Sequence, residues 1–295
     1  VAVVTTPDIG SGGTGHATGA GIAAVDCGRL RIERCSFAAM PANAMELTRV
    51  SGVWIGDCDV LAASMSGVRL NDPGTGVNQD VWITGNRLVG CQAAKITGNA
   101  AIQTAGGVDK NRRVFIESNL INAPGVVGIG ADSLDGGTIV DNRLIGVGAT
   151  GEGIALCGSD VYIAGNSVAQ FSAAGILWFC TSARNPNRRC TIVGNDVTDC
   201  LAQGIAIDFA ESNTVIQDLS ILSNRVAGNY IAIQSYAAPG ATGLAWSKVY
   251  MLSNTLVGST GPTGDFSLLM ADAVVMDNLT TLGPGTTNGI YGRRA

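Results

Sequence analysis

The stretch from Val161 to Trp178, V-Y-I-A-G-N-S-V-A-Q-F-S-A-A-G-I-L-W, constrains this chain most, because its phrasing recurs along nearly the whole sequence. Apolar residues alternate at Val161 and Ile163, a Gly165-Asn166 corner follows, Val168 is apolar again, and a second alternating run begins at Gly175-Ile176. Period-two alternation reads as strand and Gly-Asn as a turn. One unit is therefore strand, corner, strand, turn, strand. Aligned on the corner, the units stand at Cys35, Cys58, Asn86, Asn119, Asn142, Asn166, Asn195, Asn224, Asn254 and Asn278, spaced 23 to 33 residues apart.

A unit of this length cannot bury its inward face alone, and stacking the units as parallel strands about 4.8 Å apart solves the problem. The expectation is an all-β, single-stranded right-handed parallel β-helix, a solenoid of about ten coils over residues 21–295. An asparagine at an inward corner suits that stack, since its amide donates and accepts along the axis. Residues 1–20 are rich in glycine and hold the sole histidine, His16; they read as a flexible N-terminal segment or the remnant of a cap. With no Met at Val1 and no signal-like pattern after it, the chain reads as a mature or trimmed fragment.

Composition fits one long body with a dry interior: 41 glycines, 14% charged residues, and no apolar run long enough to span a bilayer. A net charge of −5 argues against a general binder of phosphate backbones. Nucleic acid and membrane are thus set aside as partners. An anionic polysaccharide held in a local basic groove is not.

The repeat resembles that of the pectin-lyase-like superfamily, over about Gly21 to Ile290. The resemblance implies the β-helix fold and a range of roles that includes polysaccharide lyases, epimerases, phage tailspikes and surface passengers. The family's best-known catalytic patterns are missing. No Gly-His-Gly accompanies paired aspartates, and no Trp-x-Asp-His occurs.

Length variation is pushed into the turns after the second run, at 72–80, 103–113, 181–189, 209–218 and 237–248, where binding groups are commonly grafted on a rigid stack. Three consecutive coils there bring Arg184, Arg188 and Arg189, then Asp208 and Glu211, then Tyr236 and Lys248. On a parallel stack these can converge. Two acids beside basic groups admit glycoside hydrolysis, with Asp208 and Glu211 as the pair. They also admit β-elimination, with Ca²⁺ on the acids, Arg188 or Lys248 as base, and Arg184, Arg189 and Tyr236 holding the sugar. A solvated salt-bridged cluster with no chemistry is the competing reading.

A column four residues before each corner runs Arg31, Trp54, Trp82, Phe115, Thr138, Tyr162, Thr191, Ser220, Tyr250, Val274. Its inward neighbours are apolar, so the rings point outward. Trp54 and Trp82 then serve a subunit contact, as in a homotrimer, lie under a covering segment, or stack on sugar. Of eight cysteines, Cys35 and Cys58 fill the asparagine position as small buried residues, and Cys180 and Cys190 bracket a loop as a disulfide pair, with Cys157 competing. No metal-type cysteine spacing occurs. The functional expectation is a lyase or hydrolase of an acidic or bacterial surface polysaccharide, extracellular or virion-associated. The alternative is a non-catalytic structural or adhesive module such as a phage tail component or surface passenger.

Overall fold

A computed structural model describes residues 19–71, 74–95, 99–106, 110–181, 183, 187–261, 266–268, 273–281 and 290–292. Its regular structure is all parallel strand, with no α-helix among these residues. Three ladders run the length of the stack. The first goes from Ile22–Val25 to Ile290–Gly292, the second from Arg31–Glu33 to Ala273–Met276, and the third from Ser36–Ala38 to Leu279–Thr281. Two long strands, Val127–Val140 and Ile154–Ala164, pass through the first ladder and on into the second. The third ladder has ten strands, so the expectation of about ten coils holds. The putting-in-line of distant residues is direct: Val161 pairs with Cys190, and Cys190 with Leu219.

The expected file of asparagines is present. Asn195 Oδ1 accepts from the backbone N–H of Asn166 at 3.0 Å and from its Nδ2 at 2.9 Å, while Asn195 Nδ2 donates to Ile163 O at 3.0 Å. The same exchange links Asn86, Asn119, Asn142, Asn166, Asn195, Asn224, Asn254 and Asn278. Each amide saturates groups that would be costly to bury unpaired. The residue before each asparagine has positive φ, which explains the Gly-Asn corner at Gly85, Gly165 and Gly194 and the short polar substitutes Ser118, Asp141, Ser223 and Ser253. Cys58 occupies the file and is buried, its N–H donating to Asn86 Oδ1 at 3.0 Å; Cys35, one coil nearer the end, is only partly covered.

The core is one apolar column of β-branched and leucine side chains from all three ladders. A line of small residues, Gly67, Ala101, Gly128, Gly153, Gly175, Gly204 and Ala232, precedes each inward residue of the first ladder. There the backbone comes so close to the third ladder that a Cβ on Gly175 would collide with Val197. In the coil after Ile205 and Ile207, the matching inward pair is Ile233 and Ser235, and Ile231 pairs with Gln203. One expectation needs correcting. Cys180 and Cys190 form no disulfide with each other: both are free, fully buried thiols that fill the core instead of closing the loop.

Candidate functional site

Outward positions of the first ladder are set by register. One column runs Glu46, Arg69, Gln103, Gly130, Ala155, Leu177, Ala206, Gln234. The next follows the inward row Ala131, Leu156, Trp178, Ile207, Ser235, and so holds Asp132, Cys157, Phe179, Asp208 and Tyr236. Where the first column narrows to Gly130 and Ala155, the face sinks into a cleft of about 250 Å³. Asn99, Gln103 and Asp132 stand on one side, Leu177 and Phe179 on the other, with Glu152 entering from the preceding turn.

The cleft holds two partly buried carboxyls whose affinity for protons is raised. Burial pushes Asp132 up from the usual 3.8 to about 6, opposed by a hydrogen bond from Gln103 Nε2 at 2.6 Å and by the Arg69 charge. Burial also raises Glu152. Arg69 is held at the N-terminal end, donating to Asn71 Oδ1 at 2.5 Å and Asn99 Oδ1 at 2.6 Å. Two coils beyond the cleft's centre, Asp208 is raised by burial alone, and it raises the adjacent Tyr236 phenol, after burial itself, to about 12. Acids that desolvation in a concave site makes readier to hold a proton can do acid–base work.

The structure divides the residues expected from sequence. Asp208 and Tyr236 share one column and pair in register, as expected, but they border a cleft whose acids, Asp132 and Glu152, the sequence reasoning missed. Glu211 lies exposed in the turn after that strand. Arg188 pairs with Gln217 on the second ladder. Arg189 is bound to Asp160 on that ladder, with Nη2 to Oδ2 at 2.7 Å, and Lys248 to Asp218 at 3.3 Å, so both are committed to ion pairs away from the cleft. Arg184 and residues 1–18 lie outside the described residues.

Trp54 and Trp82 do face outward on the second ladder, but their faces are used by each other. Trp82 stacks on Phe115 at 5.3 Å and 13°, and on Trp54 at 6.5 Å and 27°, with Arg31 over Trp54 at 5.8 Å. A sugar platform needs a free ring face, and this pile offers mainly edges. Among the described residues, no group of three or more His, Cys, Asp or Glu side chains is arranged to hold a metal ion.

Residues 20–192 match the family described as the right-handed β-helix region. The chain belongs to that family. No curated protein sequence matches it significantly. Among solved structures, a double mutant of the periplasmic alginate epimerase AlgG gives a TM-score of 0.50 at 14% identity, over 86% of this chain and 69% of that one. The Azotobacter vinelandii mannuronan C-5 epimerase AlgE4 A-module gives 0.44 at 12% over 87% and 88%, and the Dettilon tailspike protein 0.42 at 12% over 90% and 62%. At such identities the likeness is one of fold. For this β-helix protein, activity has to be argued from its own cleft.

Proposed function

We propose that this β-helix protein cleaves a polysaccharide in the cleft on the outer face of its first ladder, with Asp132 and Glu152 as the acid–base pair. The observation that carries the reading is the pairing of two partly buried carboxyls, both raised, over a floor of Gly130 and Ala155. Asp132 protonates the departing glycosidic oxygen, and Glu152 accepts the proton of the attacking water. Gln103, donating to Asp132, fixes that carboxyl, and Phe179 offers an apolar wall to a sugar ring. Asp208 moves from catalysis to substrate binding, beside Tyr236. Surface polysaccharides lie outside the cytoplasmic membrane, so the reading carries an extracellular or virion-associated location with it.

The test is release of new reducing ends from a panel of bacterial surface glycans. Asp132→Asn and Glu152→Gln should each lower turnover by about 10²-fold or more, the scale of general acid–base catalysis, with the circular dichroism spectrum unchanged. Full turnover in both variants would move the chemistry elsewhere.

A further inference from the structure

The charge on the first ladder is lopsided. Its outer face carries Glu46, Asp132 and Asp208, with Glu152 entering beside them, while among the described residues Arg69 is the sole Lys or Arg on its strands. Arg69 is already engaged: it lies next to Glu46 in register and donates to Asn71 and Asn99. On the other two ladders several acids are matched by a base of a neighbouring coil, as in Arg87–Asp59 and Arg225–Asp196 on the third and Arg113–Asp80 on the second. Among the described residues, Glu152 and Asp208 have no such cation.

We infer that the glycan taken by this cleft is a polymer of amino sugars, its ammonium groups set against Glu152 and Asp208. The inference rests on the proposed reading of the cleft and adds the substrate's chemical class. An ammonium has three donors and no acceptor, whereas an ionised carboxylate only accepts, so the two are complementary where a uronate would meet like charge. Spacing favours the match. Coils advance about 4.8 Å, close to the length that one pyranose unit adds to a chain, so a glycan laid along the axis presents one unit per coil. In that register Phe179 lies under the unit next before Asp208, where its ring covers the sugar's apolar face, and Tyr236 lies one unit beyond Asp208. The trough thus reads charge at Asp208 and shape at Phe179, three coils and two coils from Asp132.

The experiment is isothermal titration calorimetry at pH 5.5 and two salt concentrations. Its probes are a glucosamine hexamer, its N-acetylated counterpart and a galacturonate hexamer, each also assayed for new reducing ends. The amine oligomer should bind at least tenfold more tightly than the acetylated one, with an advantage that shrinks in high salt. Asp208→Asn, checked for its fold by circular dichroism, should reduce that advantage about tenfold, and the galacturonate should bind most weakly. Equal or tighter binding of the galacturonate overturns the inference, as does an amine preference that survives in Asp208→Asn. Binding and cleavage of the acetylated oligomer alone would overturn the amine assignment while leaving the cleft's chemistry in place. No binding of any oligomer by the folded protein would overturn both.

Discussion

The outer faces of the first and second ladders share one strand geometry and handle charge in opposite ways. On the second, each acid at the kink of the strand meets a base one coil on: Asp80 with Arg113, Asp160 with Arg189, Asp218 with Lys248. Above that line, Trp54, Trp82 and Phe115 spend their faces on one another. On the first, Asp132, Glu152 and Asp208 are driven towards protonation by burial, and the backbone recedes to glycine and alanine beneath them. Pairing along the axis is what a solenoid does with charge when only stability is at stake. Desolvated acids over a hollow weaken the fold and make sense as chemistry.

Filling the hollow should break the contrast most completely. A side chain at Gly130 would start 2.6 Å from Gln103 Oε1 and 2.9 Å from Ala100 Cβ and would rise into the cleft. Gly130→Leu should therefore abolish measurable turnover. Thr138→Leu, outward on the second ladder between Phe115 and Tyr162, should leave turnover as it was. Equal losses would mean that the two faces do not differ in function.

The pH profile comes next in size. If Asp132 must be protonated to act, kcat/KM should fall about tenfold per pH unit above its value of about 6. A profile flat from pH 5 to 8 would remove Asp132 from the proton donor's role.

The same titration gives opposite signs of stability on the two faces. Asp132, at about 6 when folded against about 3.8 when unfolded, favours the folded state below the lower value, and that contribution is lost as pH rises through the upper one. Asp80 is held below its ordinary value by Arg113, so its contribution is present above about 3.8 and is lost as pH falls. At pH 7.5, Asp132→Asn should accordingly stabilise by about 1 kcal/mol, after discounting for its partial exposure. Asp80→Asn should destabilise by about 0.5 kcal/mol. Urea titrations of both variants at pH 7.5 and pH 5 would show the signs, and a destabilised Asp132→Asn would contradict the account of its burial.

The inward side of this molecule was legible in the sequence because it is written ten times. Corner asparagines, alternating Ile and Val, and residues with positive φ before each corner all follow from constraints that every coil shares. A second asparagine file, where Asn78 Nδ2 donates to Asn111 Oδ1 at 2.9 Å, lies at the turn between the first two ladders; it has fewer members and passed unnoticed. The cleft was harder, since outward residues are under no common constraint and Arg69, Gln103, Asp132 and Glu152 occur once each. An irregularity between Ala131 and Leu134, where three residue steps face the two from Leu156 to Gly158, also displaces Asp132 from the simple alternation. Attention to the turns led to Asp208 and Tyr236, which border the site, and to Arg189 and Lys248, which do not. The one outward signal that could have served is the run of small residues at Gly130 and Ala155 between polar neighbours.

The smallest expected effects are the most specific check on that division. The sequence makes Lys248 a candidate base and Arg189 a candidate sugar-holding group because each falls in a coil next to that of Asp208 and Glu211. Both lie in the kink of the second ladder with positive φ, and each is satisfied by an aspartate of the coil before. Exposed pairs of this kind contribute roughly 0.2–1 kcal/mol and are screened by salt. Arg189→Ala and Lys248→Ala should each shift the urea midpoint slightly at low ionic strength, less at high, and leave kcat unchanged within twofold. A loss of kcat with the midpoint intact would show that a cation on the second ladder reaches the substrate, and the two faces would then form one site. If turnover is untouched, cations are confined to holding neighbouring coils together, and the uncompensated acids of the first ladder act without them.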